Sequence, residues 1–459
     1  MGTELLAPLD LAFWHLESDA HPMHLGALAV FAPAPGPGAA PDHVLELLRT
    51  RAAAIPRLRM CVRDVLLPVG GAAWTVDKDF DVHRHVRRVA VDDGDFMAGA
   101  TRLAGELMEQ PLERGLPPWQ LYLIGGADGG PFAVLVKLHH ALADGMRAVA
   151  IGAGIFDEIA AATRPAPRGR PAVPPRSWLP DPREMAGMAL GRIGEVGRAL
   201  GVGASVVRAG RLDLRSTAFT APSSGTRRLA TADLDATALQ RIRRAEGGTA
   251  NDILLAVVAG ALRRWMAGRG EALPGTGPRA LVPVSRRRPG GAITGNRLSA
   301  YLLDLPVGAA DPRERLRAVR AAMDRNKAAG PLKGAGAVAV LADQLHPLAH
   351  RFGAPLAANA ARMLFDLLVT SVPLPRSALS LAGCPLSALY PMAPLARGQS
   401  LAVALSTYGG RVHVGLVADG KALPDLDRLA AAVGEEFAEL EELVTGGLRS
   451  GARAPEPVT

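Results

Sequence analysis

The sequence predicts a two-domain chain of mixed α/β (α+β) class, and three observations lead there. At 459 residues the chain exceeds the roughly 250–300 residues at which a single hydrophobic core stops growing. Both halves alternate short apolar runs of strand length with longer segments whose apolar residues recur at helical spacing. Between the halves lies TRPAPRGRPAVPPRSWLPDP, Thr163–Pro182, whose prolines block helices and sheet ladders and favour an extended connector. The predicted organisation is an N-terminal domain over 1–162, a Pro-rich linker with a bridging helix over 163–225, and a C-terminal domain over 226–459.

In chain order, His43–Ala53 (HVLELLRTRAA) reads as a helix and Phe132–Leu138 (FAVLVKL) as a buried strand. Beyond the linker, Met185, Met188, Ile193, Val196, Leu200 and Val207 fall on one helical arc within 184–214. That stretch reads either as a helix bridging both domains or as an amphipathic segment facing a membrane or lipid droplet, since Arg183, Arg198 and Arg208 lie off the arc. Asn251–Met266 (NDILLAVVAGALRRWM) reads as a helix that Asn251 or Asp252 would cap. LAVALSTYGGRVHVGLVAD has the pattern of two strands turning through Tyr408, Gly409 and Gly410. A final helix is predicted from about Asp425 to Val444, with Leu429, Val433, Phe437, Leu440 and Val444 on one face and Gly446 just past its stop.

Composition narrows the function. With 49% apolar and 21% charged residues the chain is ordinary globular material, which excludes global disorder. Its 52 basic and 44 acidic side chains leave +8, but Lys occurs only at 78, 137, 327, 333 and 421. Arginine enriched together with Ala, Gly and Pro points to coding bias, and no basic cluster is interleaved with aromatics, so nucleic acid is excluded as a partner. Cys61 and Cys384 stand in no metal or redox spacing, the N-terminus has no signal-like basic and apolar regions, and no apolar run reaches the roughly 18 residues of a membrane span. The reading is a cytoplasmic protein that admits peripheral contact with the inner membrane face or lipid bodies.

The chemistry concentrates in Lys137-Leu138-His139-His140-Ala141-Leu142-Ala143-Asp144-Gly145. A strand ends in two histidines, and adjacent strand residues face opposite ways, so only one of the pair serves a given cavity. Asp144 sits where a carboxylate caps the following helix, and Gly145 permits close approach at that bend. A neutral imidazole there can act as general base towards a hydroxyl. A purely structural polar contact is the alternative, and the remaining histidines form no short metal-ligand spacing with the pair.

His139–Gly145, HHALADG, matches the HHxxxDG signature of the acyltransferase superfamily that includes chloramphenicol acetyltransferase, plant acyltransferases and peptide-synthetase condensation domains. The remainder resembles one of its members, the bacterial wax ester synthase/diacylglycerol acyltransferases, nearly end to end. The segments that carry this resemblance are PLDLAFWHLESDAHPMHLGALAVF, FDVHRHVRRVA, PLERGLPPWQLYLI, TANDILLAVVAGALRRW, ALVPVSRR, GNRLSAYLLDLP and LSALYPMAPLARGQSLAVALSTYGGRVHVGLVAD. The chain departs from the family in Pro118, which replaces the Leu of Pro-Leu-Trp. It departs again in Thr370-Ser371-Val372-Pro373-Leu374-Pro375, where the family often has Thr-Asn-Val-Pro-Gly-Pro.

The resemblance implies two chloramphenicol-acetyltransferase-like domains with an active-site tunnel at their interface. It implies transfer of an acyl group from acyl-CoA, a co-substrate rather than a cofactor, to diacylglycerol or a long-chain alcohol, without a metal. His140 would be the general base, His139 would orient its neighbour, and Asp144 would be architectural with an Arg partner. Asn251 would donate to the oxyanion or merely cap its helix, and Trp119 would pack. Arg286 and Arg287 would hold CoA phosphates or belong to a solvated loop. A condensation-type enzyme using a carrier-bound acyl group, and a non-catalytic lipid-surface protein, are the competing readings.

Overall fold

The computed structural model describes residues 4–33, 40–91, 94–125, 130–157, 217–285, 298–329 and 364–451. The predicted linker Thr163–Pro182, the 184–214 arc and the run Arg286-Arg287-Arg288 lie outside the described residues.

The N-terminal half contains strand β1 (Glu4–Leu5), helix α1 (Pro8–Leu16), β2 (His24–Phe31), α2 (Pro41–Ala54), β3 (Met60–Asp64), β4 (Ala72–Val76) and β5 (Val86–Ala90). It continues with α3 (Phe96–Glu109), β6 (Trp119–Gly125), β7 (Phe132–His139) and α4 (Gly145–Ile155). Proline opens both α1 and α2, where its missing N–H costs no helical bond. The predicted helix over 43–53 and strand over 132–138 correspond to α2 and β7.

The C-terminal half contains β8 (Arg227–Asp235), α5 (Ala236–Glu246), α6 (Ala250–Gly268), β9 (Arg279–Ser285), β10 (Leu298–Asp304), α7 (Pro312–Ala329) and β11 (Leu367–Val372). There follow β12 (Ser380–Leu381), β13 (Cys384–Met392), β14 (Leu401–Tyr408), β15 (Arg411–Asp419) and α8 (Leu426–Gly451). The hairpin forms as predicted: Gly409 and Gly410 turn at φ 55° and 78°, the left-handed pair that a tight β-turn between twisted strands requires.

Two expectations are corrected. Helix α6 is capped by Thr249 and not by Asn251 or Asp252: Thr249 Oγ1 accepts from Asp252 N–H at 3.2 Å, and Asp252 Oδ2 accepts from Thr249 N–H at 2.8 Å. This reciprocal box satisfies two amides at once, which a lone cap does not. Helix α8 runs past Gly446 to Gly451. A glycine in a helix interior costs only about 1 kcal/mol, and nothing here turns the chain into a left-handed stop.

The strands form two six-stranded mixed sheets, ordered β12-β13-β2-β7-β6-β5 and β10-β9-β11-β14-β15-β8, and a small sheet β1-β4-β3. The first sheet is not purely N-terminal. β13 enters from the C-terminal half and pairs antiparallel with β2, Tyr390 opposite Leu28 and Met392 opposite Gly26. Outer faces are covered by helices: α1, α2 and α4 pack on the first sheet, and α5 to α8 on the second. The inner faces meet in a third core, where Leu28, Leu135, Tyr390 and Met392 pack against Ala402, Ala404 and Val417 with α3 wedged beside them. Gly415 allows the sheets to approach, since a Cβ there would fall 2.1 Å from the Pro391 carbonyl oxygen.

Candidate active site

The HHxxxDG segment lies at the end of β7 and the start of α4, which is where the sequence placed it. His139 is the last strand residue and His140 begins the turn. The turn is closed by Leu142 N–H donating to the His139 carbonyl at 2.9 Å and by Ala141 N–H donating to His139 Nδ1 at 3.0 Å. Asp144 is the N-cap of α4, accepting from Arg147 N–H at 2.8 Å. Gly145 lies against the far half: a Cβ on it would sit 3.7 Å from Val372 Cγ2, at the end of β11. The motif therefore occupies the junction of the two sheets.

The two histidines are treated oppositely. His139 is fully buried, with Trp14 edge-on at 5.1 Å between ring centroids. Its Nδ1 accepts a hydrogen bond, so Nε2 is the ring nitrogen left to donate, and it lies 3.4 Å from Glu17 Oε1. His140 is partly exposed and stacks on Phe13, ring centroids 3.9 Å apart and 20° from parallel. Its main-chain N–H donates to the Met23 carbonyl at 2.7 Å, which fixes where the ring starts. Burial pushes the His140 imidazole down to about 4; its own backbone carbonyl and Asp144 pull upward, and His139 adds to the lowering. The ring is neutral at physiological pH, as a proton acceptor must be.

Glu17 is the site residue that sequence reasoning missed. It follows α1 directly and links three parts of the site. Besides approaching His139, its Oε1 accepts from Met23 N–H at 3.3 Å and its Oε2 from Arg114 Nη2 at 3.3 Å. Burial raises the Glu17 carboxyl, but His139, Arg114 and the Met23 amide more than offset this and hold it below its ordinary value. The charged carboxylate thus orients His139 and braces the Met23 strap that carries His140. The only signal in the sequence was a Glu ahead of PMHLG inside a resembling segment.

Lys137, also unassigned by the sequence, is fully buried with its Nζ donating to the carbonyls of Leu107 and Gln110, while His24 Nε2 donates to Met108 O at 2.7 Å. Both side chains close the C-terminal end of α3, where unpaired carbonyls attract donors. Burial lowers the Lys137 ammonium to about 7. Trp119 is buried at the start of β6, donates Nε1–H to Leu58 O at 2.6 Å and stacks on His85 at 4.6 Å, an arrangement for packing. The preceding Pro118 carbonyl accepts from His139 N–H at 3.0 Å, so this segment buttresses the histidine strand. Asn251 lies in the first turn of α6, half-buried and uninvolved in the cap. Arg286 and Arg287 lie outside the described residues, and among those described no group of three His, Cys, Asp or Glu side chains could hold a metal.

Two mixed sheets packed face to face, with HHxxxDG at their junction, define the class: a two-domain α/β acyltransferase. Comparison with known proteins narrows it. The family model of the wax ester synthase/diacylglycerol acyltransferase catalytic domain matches residues 6–254, and that of the WS/DGAT C-terminal domain matches 294–441. The chain is 31% identical over 463 residues to a probable diacylglycerol O-acyltransferase, tgs2, of Mycobacterium tuberculosis, covering 96% of this chain and 99% of that one. The wax ester synthase/diacylglycerol acyltransferase of Marinobacter aquaeolei has a similar fold, with TM-score 0.70, 23% identity, and coverage of 96% and 100%. The first condensation domain of the CDA synthetase shares the fold at TM-score 0.59, 16% identity and 96% coverage of each chain. The chain belongs to the wax ester synthase/diacylglycerol acyltransferase family, and it is an acyltransferase.

Proposed function

We propose that this enzyme transfers a long acyl group from acyl-CoA to the hydroxyl of a diacylglycerol or a long-chain alcohol, giving triacylglycerol or wax ester. The observation that carries the reading is the asymmetry of the histidine pair: His139 is locked inside against Glu17, while His140 is neutral, partly exposed and fixed at the junction of the sheets. In this reading Nε2 of His140 is the nitrogen that takes the acceptor's proton. The alkoxide oxygen forms a bond to the thioester carbonyl carbon, the oxyanion collapses, and the carbon–sulfur bond breaks. The departing CoA thiolate takes the proton back from the imidazolium, and no acyl-enzyme is needed.

In this reading the apolar chains lie in a tunnel at the interface of the two domains, with 1–162 and 226–459 as those domains and 163–225 connecting them. Asn251 is the proposed oxyanion donor, and Arg286 and Arg287 the proposed CoA-phosphate contacts. The acceptor comes from a lipid surface that the protein contacts peripherally; among the described residues no helix is long and apolar enough to cross a membrane. The test is release of free CoA by purified protein from palmitoyl-CoA with dioleoylglycerol and with hexadecanol. Acceptor-dependent release of CoA with matching ester formation is expected. No release with either acceptor contradicts the proposal.

A further inference from the structure

The small sheet β1-β4-β3 ends in a protruding tip that the acyltransfer chemistry does not use. Between Val65 and Gly71 the chain reads VLLPVGG, with no charged or hydrogen-bonding side chain. Leu66 is 93% exposed, Leu67 66% and Val69 52%, and Leu5 on the neighbouring strand is 52% exposed. These are four of the seven large apolar side chains exposed among the described residues, gathered at one end of one sheet. The tip is built and not frayed: Gly71 N–H donates to Pro68 O at 2.8 Å, Val65 N–H donates to Gly71 O at 3.1 Å, and Gly70 turns at φ 81°.

The tip is also tied to the catalytic histidines. His15 Nε2 donates to Gly70 O at 3.0 Å, and the two preceding residues of the same helix, Phe13 and Trp14, contact His140 and His139.

We propose that the Leu66–Leu67–Val69 tip, with Leu5, inserts into the surface of an anionic phospholipid membrane and seats the enzyme there. Aliphatic side chains with nothing to hydrogen-bond suit the boundary between headgroups and acyl chains, whereas protein interfaces rely on aromatic and Arg anchors with polar partners. The chain's net charge of +8 draws it towards anionic lipid over a distance set by salt. Helix α1 then holds the lipid-bound tip in fixed relation to His140. The inference rests on the lipid-acceptor reading above in giving the tip a purpose, but it is tested separately.

The experiment uses the full chain and vesicles of phosphatidylcholine and phosphatidylglycerol, with or without dioleoylglycerol. The unaltered protein sediments with the vesicles. A double variant, Leu66→Ser with Leu67→Ser, binds them more weakly by on the order of tenfold or more. It keeps its melting temperature and its CoA release from butyryl-CoA and hexanol in solution. As a second readout, Leu66→Cys carrying an environment-sensitive dye brightens on vesicle addition; the native Cys61 and Cys384 are buried and take no label. Equal vesicle binding by the double variant, a silent dye, or a solution dimer that the double variant dissociates without changing vesicle binding overturns the proposal. Vesicle binding through the tip without CoA release from palmitoyl-CoA with either dioleoylglycerol or hexadecanol would uphold the surface while contradicting the acyltransfer reading.

Discussion

His140 differs from an exposed histidine in one measurable way, its proton affinity. Burial lowers it from the ordinary 6.5 to about 4. The sign follows directly: between those values the unfolded chain takes up a proton that the folded site refuses, so this histidine costs stability as pH falls through that window. For activity, the acid limb of kcat/KM for the free enzyme is expected near pH 4 to 5, and a limb at 6.5 would contradict the buried setting. We propose Glu17 as a positioning residue that acts through its neighbours. Glu17→Gln is expected to lower kcat by about tenfold, with KM for acyl-CoA little changed and the acid limb displaced, because losing the carboxylate charge frees the His139 ring and alters the field at His140. A variant with intact kcat and an unmoved pH profile contradicts that role. At this scale the sequence was partly legible. His139, His140, Asp144 and Gly145 form one continuous signature, whereas Glu17 reaches His139 only through the pairing of β2 with β7, His24 opposite His139, which no local spacing encodes.

Elements were more legible where one local rule acted alone. A Gly-Gly turn between two strand-like runs identifies β14 and β15, and apolar periodicity identifies α2 and α8. Competing local rules were harder to rank: Asn251 and Asp252 looked like caps, while Thr249 prevails because Asp252 reaches back to it. Helix α6 illustrates how one element depends on another. A Cβ on Gly260 would fall 2.1 Å from Glu436 Cδ, and Glu436 is 2% exposed and paired with the buried Arg315 and with Arg264. Glu436 has no room to move without breaking those pairs. Gly260→Ala is therefore expected to destabilise the protein by about 2–4 kcal/mol, despite the better helix propensity of alanine. Chemical denaturation checks this, and a variant as stable as the parent contradicts the packing described.

For the whole molecule, length and the two-part pattern predict two parts that each mix strands and helices, but not that β12 and β13 join the first sheet from the second half. Strand identity is local, whereas the choice of partner strand depends on which edge the folded chain leaves open, so sequence pattern alone did not supply it. The same strand sets how closely the halves meet. Gly415→Ala would push β15 away from the Pro391 carbonyl of β13, and is expected to cost about 2–3 kcal/mol and to reduce activity by more than the exposed tip substitutions do. Thermal unfolding and CoA release measured together check this. We propose that this junction presents one histidine, His140, as the base for acyl transfer. It is tested most directly by comparing CoA release from palmitoyl-CoA by the parent and by His140→Ala at matched melting temperature. The expected loss is about 10²–10⁴-fold in kcat. A folded His140→Ala enzyme that turns over at near the parent rate would contradict it.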